Sequence, residues 1–180
     1  MSTKEKAEVI IPENVRIHKE GHIIVVTGNK GTIRKDLHKI PAKINVTERS
    51  VTIEPAGRRK SDLAVTNTAK SIITNMFKGV EKGFVYKLKI VFAHFPISVK
   101  VKGREIHVEN FFGERSARVS HVVGDTTKVN VVAEDVVVEG PSLEDVSQTA
   151  ANIESSTKVK GKDQRVFLDG LYIYSRNEGE

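Results

Sequence analysis

The side chains best suited to chemistry in this chain are cations gathered near its end: Lys158, Lys160, Lys162 and Arg165, spaced around Gly161. In an extended segment alternate side chains project to one side, so lysines two apart present their ammonium groups in a row. Such a row tracks a phosphate backbone. The apolar run 167–174, interrupted by Asp169-Gly170, is expected to dock on the body of the protein and hold those cations in place. A solvated charged loop leading into a C-terminal strand fits the same residues. Context has to decide between them.

Other chemistries find little support. The chain has no cysteine, which removes thiolate nucleophiles, thiolate metal sites and disulfides and suits a reducing compartment. It has no Gly-x-Ser-x-Gly elbow and no Gly-x-x-x-x-Gly-Lys-Ser/Thr phosphate loop. His18 and His22 are four apart, as in helical zinc proteases, but Gly21 and the surrounding pattern predict a β-hairpin that sets the rings across a turn. His38, His94, His107 and His121 are scattered, and Glu134-Asp135 and Glu144-Asp145 sit at a turn and a helix start. Neither acidic pair is spaced for acid/base work. No enzyme, metal or cofactor is expected. Gly28-Asn-Lys-Gly31 matches a loop that clamps RNA backbone between two helices, yet here it joins two strands and reads as a hairpin turn. Phe111, Phe112 and Tyr172 are candidate stacking rings, with core packing the simpler assignment for the phenylalanines.

The charge balance favours a polyanionic partner. Net charge is +6 with a pI near 9.5. Residues 83–104 carry Lys87, Lys89, Lys100, Lys102 and Arg104 and no acid. Residues 105–154 then carry ten acids against Arg115, Arg118 and Lys128, and 158–165 is basic again. This polarity predicts one cationic face on the second half, with the acids turned to water. The first half is basic more evenly, with a cluster at Arg58-Arg59-Lys60. No stretch reaches membrane-spanning length and no apolar run follows the N-terminus, so the expectation is a soluble, internal protein.

The elements that must position the cations occur twice. At 180 residues and 38% hydrophobic, the chain can form one domain or two small ones. From Ile11 onward it reads strand, turn at Glu20-Gly21, strand to Thr27, turn at 28–31, strand near 32–37, and short strands at 44–46 and 51–54. Ser61 or Asp62 then caps a helix with Leu63, Ala69, Ile72, Ile73, Met76 and Phe77 at helical spacing, ending at Gly79. The second half repeats the order: Pro96 and Val99 match Pro12 and Val15, strands follow at 106–109, 129–132 and 136–139, and Ser142-Leu-Glu-Asp145 has the form of a capping box. The offset of about 81–85 residues suits a duplicated small domain rather than a solenoid. The expected fold class is therefore α+β, two tandem duplicated domains (1–82 and 83–180), each an antiparallel sheet packed on one helix.

Four stretches carry a resemblance: Asn75-Met-Phe-Lys-Gly-Val-Glu-Lys-Gly-Phe-Val-Tyr-Lys-Leu88, Ala93-His-Phe-Pro96, Asn110-Phe-Phe-Gly-Glu114 and Arg165-Val-Phe-Leu-Asp-Gly-Leu-Tyr172. Together, in this order and over nearly the whole chain, they resemble the L-six family of large-subunit ribosomal proteins. The tail lacks the tyrosine–lysine–glycine of bacterial members, which points to the archaeal and eukaryotic branch, called L-nine in eukaryotes. The resemblance implies two copies of one α+β domain, a place in the cytoplasmic ribosome and no catalysis. Large-subunit rRNA would be bound chiefly through the second domain, near the factor-binding region and its sarcin–ricin loop. It also implies neighbouring ribosomal proteins as partners, no membrane and no homo-oligomer. Carried onto this chain, the RNA contacts are Lys158, Lys160, Lys162 and Arg165, then Arg115 and Arg118, with Asp169-Gly170 shaping the tail and Tyr172 anchoring it or stacking. The rival reading is a duplicated protein-interaction module whose basic face meets an acidic protein.

Overall fold

In the computed structural model, which describes residues 6–57, 59–163 and 165–179, the chain divides into two compact units, Met1–Lys82 and Gly83–Glu180. The first contains β1 (Ala7–Ile10), β2 (Arg16–Glu20), β3 (Ile23–Gly28), β4 (Gly31–Asp36), β5 (Ala42–Val46), β6 (Ser50–Pro55) and α1 (Lys60–Glu81). The second repeats the order as β7 (Phe84–Val91), β8 (Ser98–Lys102), β9 (Glu105–Glu109), β10 (Arg118–His121), β11 (Lys128–Val132), β12 (Asp135–Gly140) and α2 (Leu143–Ser156), then adds β13 (Gly170–Glu178).

Each unit splits its strands between two antiparallel sheets, where the sequence suggests one: β1-β6-β5 and β2-β3-β4, then β11-β12-β7-β13 and β10-β9-β8. Pro12 lies between β1 and β2, Pro41 between β4 and β5, and Pro96 between β7 and β8. A residue without an N–H and with fixed φ interrupts a ladder, so the chain leaves one sheet and starts another at these points. Two short strands escape the sequence pattern. Ala7–Ile10 precedes the first expected strand, and the polar Arg118–His121 forms only because it pairs along β9, Val119 opposite His107.

Both helices bury one stripe. On α1 it runs through Ala69, Ile73, Met76, Phe77 and Val80; on α2 it is Val146, Thr149, Ala150 and Ile153. Each large apolar side chain contributes about 1.5–3 kcal/mol by burial. Ser142 caps α2 as expected, its Oγ accepting from the Asp145 N–H at 3.3 Å. Asp62, expected as a cap of α1, sits instead at the third helical position, where its Oδ2 accepts from the Arg59 N–H at 3.0 Å. The helix also passes through Gly79 and ends two residues later. Burial of Phe77 and Val80 offsets the roughly 1 kcal/mol cost of an internal glycine, and Gly83, with φ +82°, takes the left-handed position beyond the end.

Candidate nucleic-acid interface

The segment between α2 and β13 is the piece the second unit has and the first lacks, and both its ends are tied to the helix. At the return, the Leu171 N–H donates to Thr157 Oγ1 (3.0 Å) and the Ile173 N–H to Glu154 Oε1 (3.1 Å). Asp169 is buried, with its Oδ2 accepting from the Ala93 N–H at 3.3 Å. Gly170 carries no side chain because the Tyr172 ring lies over it, 3.2 Å from where a Cβ would be. Docking therefore starts at Asp169. Phe167 and Leu168, expected to dock, are exposed, as is Val166 before them.

The near end is held by Arg118. Its Nη1 donates to the carbonyl of Ser156 (3.1 Å), an acceptor that a helix terminus leaves without an intrahelical partner, and to that of Lys158 just beyond the cap (3.4 Å). Its Nε and Nη2 donate to the two carboxylate oxygens of Glu114 (2.9 and 2.6 Å), and the guanidinium lies 4.1 Å from the centre of the Phe111 ring. Four of its five N–H groups are thus committed within the protein, which makes Arg118 an anchor of the segment and leaves one donor for any further acceptor.

Between these anchors the cations are arranged differently from a straight row. Lys158 and Lys160 face outward and Val159 is buried, the alternation expected of extended chain. Gly161, at φ +69°, then turns the chain, so Lys162 does not continue the row. Its ammonium lies 4.7 Å from the centre of the Phe167 ring and 5.2 Å from that of Phe112. The two rings meet edge to face at 5.9 Å. Phe112 holds φ +52°, a conformation costing an L-residue about 1–2 kcal/mol. Such strain persists only where surrounding contacts fix it. Arg165 is exposed, its backbone N–H bound to Asp163 Oδ1 at 2.9 Å. Arg115 is exposed beside Glu114, and Tyr172 shows 42% of its surface.

The cations of 83–104 do not all stay free. Folding brings acids of 105–154 onto three of the five cations of 83–104: Lys100 with Glu109 at 2.6 Å, Lys89 with Glu134 at 3.2 Å and Asp135 at 3.5 Å, and Arg104 with Asp125. The Lys100 hydrogen bond holds the Glu109 carboxyl below its ordinary range, and Glu134 raises Lys89. The side chains of Lys158, Lys160, Arg165 and Arg115, in contrast, make no ion pair among the described residues.

Glu114 is likewise held below the ordinary glutamate range, chiefly by its hydrogen bonds from Arg118. A depressed folded pKa stabilises the native state fully above the unfolded value, about 4.3 for glutamate. That contribution is lost as pH falls through the folded value. NMR signals of Arg118 Nε and of the 157–160 amides should accordingly stay fixed from neutral pH through the ordinary glutamate range and shift together below it; protonation of Glu114 that moves Arg118 Nε but leaves those amides in place would contradict this coupling.

The remaining candidates resolve as structural features. Gly28 and Gly31 face each other across the β3–β4 turn, with the Lys30 N–H donating to the Val80 carbonyl at 2.9 Å. A Cβ on Gly28 would come within 2.7 Å of that carbonyl oxygen, so the turn is packed on the end of α1. The β2–β3 hairpin separates His18 from His22. Among the described residues no group of three His or acidic side chains could hold a metal ion, and no helix is long and apolar enough to cross a membrane. Sequence reasoning missed Glu114, Glu154 and Phe167. The Glu114–Arg118 spacing was the one visible signal.

The chain matches the family Ribosomal protein L6 over residues 11–83 and again over 95–170. It is 47% identical to a large ribosomal subunit protein uL6 of Staphylothermus marinus, over 96% of this chain and 95% of the relative. It is 44% identical to the uL6 of Methanosphaera stadtmanae (94% and 92% covered) and 42% identical to that of Saccharolobus solfataricus (95% and 94%). The duplicated sheet-and-helix units, the expected resemblance and these archaeal relatives agree: the chain belongs to the ribosomal protein L6 family, and so is a cytoplasmic ribosomal constituent rather than an enzyme.

Proposed function

We propose that this chain, a structural constituent of the large ribosomal subunit by family membership, binds large-subunit rRNA through the segment between α2 and β13. The contacts are to phosphates and to RNA shape. Lys158, Lys160 and Arg165 approach the backbone, Arg115 lies at the margin, Lys162 is presented by its two rings, and Tyr172 offers a stacking surface. The observation that supports this most is the contrast between cations: Lys89 of β7 and Lys100 of β8 are paired with acids, whereas Lys158, Lys160 and Arg165 make no ion pair among the described residues and sit in a segment held at both ends. Cations ordered before binding lose less entropy on meeting phosphate than a disordered tail would. Following the family, the site is near the factor-binding region and its sarcin–ricin loop, with residues 83–180 carrying the RNA contact, a single copy per subunit and ribosomal proteins as neighbours.

The test is sedimentation of a cell lysate on a sucrose gradient, with and without RNase. Co-migration with the large subunit at near-equal stoichiometry, abolished by RNase, is expected. An RNase-resistant small complex would overturn the RNA reading and favour a basic protein-interaction module.

A further inference from the structure

A cleft of about 660 Å³ opens beside the free cations, between the last turn of α2 and the strand that returns to it. Val91 and the buried Val159 line it, together with Leu168 and Tyr172, which are 57% and 42% exposed. Its other lining groups are largely spent on the fold. Thr157 Oγ1 accepts from the Leu171 N–H and donates to the Glu154 carbonyl at 3.2 Å, and Glu154 Oε1 accepts from the Ile173 N–H. What is left to an occupant is apolar wall, the Tyr172 ring and one remaining Glu154 oxygen. Lys158 lines the same cleft, and Lys160 follows one residue beyond Val159. A flat aromatic group with an N–H donor on its edge and an anion attached satisfies all of these at once.

We infer that this cleft takes one unpaired nucleobase extruded from the bound RNA, seated against Tyr172 and Leu168 with its phosphate on Lys158. The inference rests on the RNA-binding reading and adds to the Tyr172 stacking surface a cleft that encloses one base. The volume falls within the range of small-molecule sites and exceeds what a base needs. Aromatic stacking of a single-stranded base is the usual partner of a cationic groove. A base drawn from a continuous strand suits the open mouth and the line of cations leading to it; a free nucleotide shares the chemistry and is separated from it by the test.

The chain has no tryptophan, so Tyr172→Trp creates a single fluorescent reporter at the cleft wall. On binding protein-free large-subunit rRNA, its emission should be quenched and shielded from acrylamide, whereas inorganic polyphosphate, which engages only the lysines, should leave it unchanged. Tyr172→Leu should weaken rRNA binding about tenfold at constant salt slope. Emission that stays unquenched and accessible in an rRNA complex would overturn the cleft assignment while leaving RNA binding intact. No binding by the wild-type chain would overturn both readings. Quenching by micromolar adenosine or uridine monophosphate would make the cleft a free-nucleotide site and overturn the assignment to extruded RNA.

Discussion

Replacing Lys158 and Lys160 together by alanine is expected to lower affinity for large-subunit rRNA roughly 150-fold, about 3 kcal/mol at about 1.5 for each charged contact. The slope of log K against log salt should become shallower by about 1.5–2, because two fewer counterions are displaced. The fold should be untouched, since both side chains point away from the core and neither makes an ion pair among the described residues. Lys100→Ala is the matched comparison. That lysine is bound to Glu109 at 2.6 Å, so its loss should leave the salt slope at the wild-type value. Equal effects from Lys100 and from the pair would mean that net charge, rather than the held segment, determines binding.

Replacing Arg118 by alanine is expected to lower affinity by a different route. Glu114 would lose both its hydrogen bonds, and the carbonyls of Ser156 and Lys158 would lose a donor. Both partners of the ion pair are partly exposed, with side-chain exposures of 29% and 37%, so solvent screens part of the loss. About 2 kcal/mol of destabilisation of the second unit remains. Affinity should fall because Lys158 is no longer held, yet the salt slope should remain near the wild-type value. Arg118→Lys keeps the charge without the planar fork and should recover only a minor part of either loss. A slope shallower by about 1 in Arg118→Ala would instead identify this guanidinium as a phosphate contact.

These two expectations separate what can be read from neighbouring residues from what depends on distant ones. The helical stripes, the glycine turns and the Ser142 cap follow from local periodicity and capping chemistry. The exit of α1 at Glu81 rather than at Gly79 does not, since a buried contact offset a poor local propensity. β1 and β10 are too short and too polar to stand out. Their partners β6 and β9 make them strands.

By itself the sequence determined the α+β duplication, the family, the absence of enzyme motifs and the segment that bears the free cations. Each depends on residue order and spacing, which the linear chain carries in full. Only the tertiary structure decided which cations are free. Lys89, Lys100 and Arg104 read as part of a basic face until folding brings Glu134, Glu109 and Asp125 beside them. It also tied Arg118 to the carbonyl of Ser156, bent the lysine row at Gly161, and set Phe167 against Phe112 under Lys162. Charge neutralisation and ring contacts fall off within a few ångströms through space, and sequence separation gives no measure of that distance.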